Sequence, residues 1–203
     1  MTFEEHKKNY EALMLPGKTL TKEHLKRLRE AYEDWLQLKE SQNYLEPVNV
    51  GLKSHFGNQN YYEQIEKVFK PLELENNEIT VLILPSFKPE YQVKFKRKTI
   101  ELIKVKKQIW EELYLTGRIE KLEFNKSEIN ISPDDKSMFI KDVKLNINNA
   151  RKRNSFGGTL DGIEYFFIQK EFDAIKIAFK NSSAEDENII GRLIKKLNKL
   201  IDK

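Results

Sequence analysis

The run Phe156–Phe167, Phe-Gly-Gly-Thr-Leu-Asp-Gly-Ile-Glu-Tyr-Phe-Phe, sets the tightest limit on what this chain can fold into. Asp161-Gly162 suits turn positions with positive φ, which both residue types tolerate. The dense aromatic and β-branched stretch after it reads as a strand. Gly157-Gly158 precedes that strand and not a helix, so it lacks the helix-terminal amides of a phosphate loop and reads as a bend.

Several strands with no regular strand–helix alternation accompany this one. Ile79–Leu84 is a continuous apolar run closed by Pro85, which suits a buried strand. Tyr91, Val93 and Phe95 alternate with Gln92, Lys94 and Lys96, the pattern of a half-buried strand. Ile100, Leu102, Ile103 and Val105 predict another, with a phase slip near Leu102 that reads as a bulge and a continuation through Ile109 and Trp110. Leu122–Ile131 alternates again, and Asp173–Phe179 follows the aromatic strand after a short loop.

Helices frame these strands. Leu25, Leu28, Tyr32 and Trp35 share one helical face, with Thr21 as N-cap, and a shorter helix covers 61–70 before Pro71. Ser132, Pro133, Asp134 and Asp135 form a helix start, with the carboxylates at the positive end of the dipole. Ser183 with Glu185, Asp186 and Glu187 opens a last helix striped by Ile189, Ile190, Leu193, Ile194, Leu197, Leu200 and Ile201. The expected class is therefore α+β: a mainly antiparallel sheet with helices packed on one face, preceded by a helical segment. Residues 1–75 form that helical region, packed on the main domain, and 76–203 form the α+β domain.

With 203 residues the chain can bury a real core. Its charged fraction is 33%, yet 36 basic against 32 acidic residues leave only +4, too little to mark a nucleic-acid binder. Cysteine is absent, which excludes disulfides, thiolate zinc sites and cysteine nucleophiles and fits a reducing cytoplasm. The first 15 residues are polar, and no window has the apolar length of a membrane helix. The expectation is a soluble cytoplasmic bacterial protein without cofactor or metal.

The segments Leu84-Pro-Ser-Phe-Lys-Pro-Glu-Tyr91, Gln108-Ile-Trp110 and Leu160-Asp-Gly-Ile-Glu-Tyr-Phe-Phe167 resemble those of short uncharacterised bacterial α+β proteins, which carry the same order of motifs. The likeness covers residues 79–203 and implies an α+β fold. It implies no reaction and no catalytic residues.

Reactive constellations are few. His6, His24 and His55 have no ligand-spaced partner. Ser86 lacks a nucleophile elbow, and the acidic pairs sit where helix starts want them. Arg151-Lys152-Arg153 suits a helix C-terminus. The strongest surface signal is basic: between Lys88 and Lys107 eight basic residues face two acidic ones, with Lys94, Lys96 and Lys98 on one strand face beside Arg97. Tyr61 and Tyr62, with Tyr44, His55 and Phe56, mark the 43–62 loop as a contact surface. The sequence thus points away from an enzyme and toward a module that binds another protein through Lys94, Lys96, Arg97, Lys98, Tyr61 and Tyr62, with an immunity or effector-neutralising role as one concrete form. Nucleic acid on the basic strand is the alternative, and an enzyme whose site is invisible in the sequence is a further one.

Overall fold

The computed structural model describes residues 1–13, 19–41, 43–48, 52, 59–76, 78–96, 98–117, 119, 122–151, 162–182 and 189–201. Arg97, His55, Phe56, Gly157, Gly158, Asp161, Lys152, Arg153 and the Ser183–Glu187 helix start lie outside them. The described residues form six helices and seven strands in two compact units.

The first unit contains α1 (Phe3–Ala12) and α2 (Lys22–Ser41). The Thr2 hydroxyl accepts from the Glu5 amide while the Glu5 carboxylate accepts from the Thr2 amide, a reciprocal cap. Thr21 caps α2 as expected, its hydroxyl accepting from the His24 amide at 3.2 Å. Tyr32 holds the pair together. Its ring meets Phe3 edge-on at 5.5 Å, and its hydroxyl donates to the Met1 carbonyl at 3.0 Å.

The second unit begins at Asn43. β1 (Glu46–Val48), expected to belong with the helical region, joins the sheet by pairing with β7. The helix α3 (Gln59–Phe69) then precedes a meander of β2 (Ile79–Pro85), β3 (Tyr91–Phe95) and β4 (Thr99–Val105). After α4 (Ile109–Thr116) come β5 (Phe124–Asn130), α5 (Pro133–Asn148), β6 (Ile163–Glu171), β7 (Ala174–Ser182) and α6 (Ile189–Ile201). The order is β1-β7-β6-β2-β3-β4-β5, and every neighbouring pair is antiparallel.

Helices cover both faces of this sheet, a correction to the expected single helical layer. Ile79, Val81 and Ile83 of β2 pack with Phe139 and Val143 of α5 and with Leu193, Ile194 and Leu197 of α6. Leu82 and Leu84 point the other way, toward Tyr61, Tyr62, Ile65 and Phe69 of α3 and Ile109 of α4. The seven residues of β2 are all buried. A central strand covered on both sides must be apolar at consecutive positions, which is what the Ile79–Leu84 run encodes.

Two further expectations change for the same reason. The slip near Leu102 is no bulge: β4 keeps unbroken register with both β3 and β5. Ile100 and Leu102 serve one core, while Ile103 and Val105 serve the other. Nor does β4 continue to Trp110, because Ile109 opens α4. Gly117 ends α4 with φ 69°, and its amide donates to the Leu113 carbonyl at 2.9 Å. Ser132 caps α5 as its sequence predicts.

Candidate functional site

Tyr61 and Tyr62 are consecutive residues of α3, expected on a contact surface. They lie instead inside the unit, 8% and 5% exposed. An amphipathic helix laid on an apolar sheet turns its aromatic face inward. The Tyr61 hydroxyl donates to Glu90 Oε1 at 2.9 Å, and the Tyr62 hydroxyl to Glu164 Oε2 at 2.7 Å. The two rings meet edge-on at 5.1 Å.

Glu90, fully buried at the foot of β3, does more than receive a phenol. Its Oε2 accepts from the Ile109 amide at 2.8 Å and its Oε1 from the Trp110 amide at 3.3 Å. These amides open α4, whose own N-cap residue Gln108 makes no side-chain cap. A carboxylate from another strand thus caps the helix, placing negative charge at its positive end. Burial raises the Glu90 carboxyl above its ordinary value, against the pull of the Ile109 amide, the Tyr61 hydroxyl and the Trp110 amide. Burial likewise raises Glu164, opposed by Tyr62. Both phenols are pushed far up, first by burial and then by their carboxylates, so they remain donors. With its protons committed in this way, the quartet ties α3 to the sheet and fixes where α4 begins.

Gln92, expected on a solvent face, is fully buried on the α3 side, where neither its Nε2 nor its Oε1 has a hydrogen-bond partner among the described residues. Among the described residues no group of three or more His, Asp or Glu could hold a metal ion.

Three distant segments meet beside α4. The Ser86 hydroxyl donates to the Gly162 carbonyl at 2.8 Å and accepts from the Gly162 amide at 3.3 Å. The Gln108 side-chain amide donates to the Ser86 carbonyl at 2.8 Å. Gly162 does not use positive φ; Gly117 alone does among the described glycines. A Cβ at Gly162 would meet the tip of the Asn181 side chain, which would have to turn aside.

Thus anchored, α4 displays Trp110, Tyr114 and Leu115 at 43%, 81% and 69% exposure. Trp110 stands edge-on over Tyr61 at 5.6 Å, so its ring is braced from below. The turn tied to α4 through Gln108 carries Phe87, 79% exposed. Sequence reasoning missed this surface because Ile109 and Trp110 read as the end of a strand. The signal was Gly117, a helix-stop residue just after Ile109-Trp-Glu-Glu-Leu-Tyr-Leu-Thr116, whose Glu111 and Glu112 suit a first helical turn.

The basic segment is matched by acids at three of its lysines. Lys96 reaches Glu101 and Glu128, both at 3.3 Å, and these bonds hold its ammonium above the ordinary lysine value. Lys106 pairs with Glu123 and Lys107 with Glu112. Lys94 is half-buried and Lys98 exposed, so the expected row of cations does not form one uniform face. Arg151 lies over the Tyr44 ring, and its amide donates to the Leu45 carbonyl at 2.9 Å.

No helix among the described residues is long and apolar enough to cross a membrane. No protein-family profile, curated protein or solved structure matches the chain.

Proposed function

We propose that this chain is a non-enzymatic protein-binding module whose contact surface is the outer side of α4, with an immunity or effector-neutralising role as one form of it. The observation that carries the reading is the exposure of Trp110, Tyr114 and Leu115 on one anchored helix, with Trp110 braced on Tyr61. A large aromatic side chain held in place by its own domain, as Trp110 is, loses little entropy on association, and Trp and Tyr dominate binding hot spots. Exposed Lys88, next to Phe87 on the turn tied to α4 through Gln108, adds a cation at this edge, so the surface suits a partner with an apolar pocket edged by a carboxylate. The ion pairs of Lys96, Lys106 and Lys107 reduce the charge open to a nucleic acid on this segment.

The test compares capture from host extract by the unaltered protein, by a Trp110→Ala/Tyr114→Ser variant, and by a control with Met138→Ser/Leu145→Ser on exposed α5 positions. One protein retained by the first and the control, and lost from the α4 variant, is the expected result. Retention unchanged by the α4 substitutions, or tight salt-sensitive binding of an oligonucleotide, overturns the proposal.

A further inference from the structure

The two edges of the sheet are built differently. β1 is three residues long and contains Pro47, which blunts it against further pairing. β5 spans seven residues, Phe-Asn-Lys-Ser-Glu-Ile-Asn, with neither proline nor glycine. Six of the seven are exposed, and among the described strands only β4 pairs with it.

Its backbone polarity can be read from the ladder. The Lys106 amide donates to the Glu123 carbonyl at 2.9 Å, one step beyond the Val105–Phe124 pair. Antiparallel ladders alternate hydrogen-bonded and non-bonded pairs. Asn125, Ser127 and Ile129 therefore turn their amides and carbonyls toward β4. Phe124, Lys126, Glu128 and Asn130 turn theirs outward.

The geometry points to homodimerisation through β5, two copies pairing antiparallel about a two-fold axis at Ser127. In that register Lys126 faces the second copy's Glu128, and Phe124 faces its Asn130. Each of these pairs uses outward-turned backbone groups. A two-residue slide either way sets Lys126 against Lys126 or Glu128 against Glu128, and like charges directly opposite are unfavourable. Charge on an edge strand ordinarily repels partners; here its order selects one. Glu128 is also ready for a second cation. It stands directly opposite Glu101 in β4, and Lys96 is shared between the two carboxylates.

Sedimentation velocity over a range of concentrations tests the pairing. The unaltered protein, 24.1 kDa as one chain, is expected to shift reversibly to twice that mass. Lys126→Glu places acid against acid at both symmetry-related pairs and weakens the dimer roughly 30-fold. Lys126→Glu/Glu128→Lys restores opposite charges and regains the dimer. Lys126→Pro removes one outward amide, leaves the β4 ladder intact and gives a monomer with an unchanged circular dichroism spectrum. An unaltered protein that stays monomeric throughout, a dimer indifferent to Lys126→Glu, or a charge-swapped variant that stays monomeric overturns the assignment.

Discussion

Replacing Glu90 by alanine tests whether a distant carboxylate really fixes α4. The substitution removes the acceptor for the Ile109 amide at 2.8 Å, the Trp110 amide at 3.3 Å and the Tyr61 hydroxyl at 2.9 Å. A buried donor left without a partner costs about 1–3 kcal/mol. Trp110 is partly exposed, so its amide counts for less, and losing a desolvated charge returns some of the total. The net is about 3 kcal/mol, or a fall in Tm of roughly 6–12 °C for a chain of this size. Glu90→Gln keeps the shape and one acceptor, and costs about 1 kcal/mol. Urea and thermal unfolding measure these values, and amide hydrogen exchange at Ile109 and Trp110 locates them. Glu90→Ala should accelerate exchange at both amides well before global unfolding. In a double-mutant cycle its effect should fall short of additive with Tyr61→Phe, because both remove the same contact. A loss under about 1 kcal/mol with unchanged exchange would refute the capping role.

The two buried carboxyls also set a pH dependence. Burial raises both Glu90 and Glu164, so the folded state holds their protons more tightly than the unfolded chain does. The resulting stabilisation is complete below the ordinary carboxylate value and is lost as pH rises through the raised folded values. Melting curves between about pH 4 and about pH 8 should show this decline flattened in Glu90→Gln/Glu164→Gln, and identical slopes in both proteins would contradict it. At the β6–β7 hairpin, Phe172 adopts φ 53° while 76% exposed. Phe172→Asn should raise stability by about 1 kcal/mol in urea titrations, since Asn tolerates the left-handed region and little burial is lost; no gain would mean that the ring is held by contacts its exposure does not reveal.

The parts of the fold written in local signals were legible in the sequence. Ser132, Pro133 and Asp135 start α5 where capping chemistry places them. Leu193, Ile194, Leu197 and Leu200, read as a stripe on the last helix, are the residues of α6 that fill the core. What local signals do not carry is the number of layers. Gln92, Lys94 and Lys96 alternate like an exposed face, yet α3 and α4 cover part of it, so Gln92 is buried and both lysines are partly so. The candidate site was hidden for the same reason. Glu90 lies 19 residues from the helix it caps, and Glu164 lies 102 residues from Tyr62. No periodicity links such positions. Tyr61 and Tyr62 drew notice as aromatics, but only the tertiary structure shows that they face inward.

The pairing of β2 with β6 carries a consequence for biosynthesis. Ile79 finds Gln169, and Ile83 finds Tyr165, some 80–90 residues further along the chain. At ribosomal speeds of about 5–20 residues per second, the Ile-Thr-Val-Leu-Ile-Leu segment waits roughly 4–18 s for its second neighbour to be synthesised. Until then it has only β3 beside it, one strand flank stands open, and α6 is not yet there to cover it. The nascent chain therefore presents its stickiest segment for seconds, a natural docking point for a ribosome-associated chaperone.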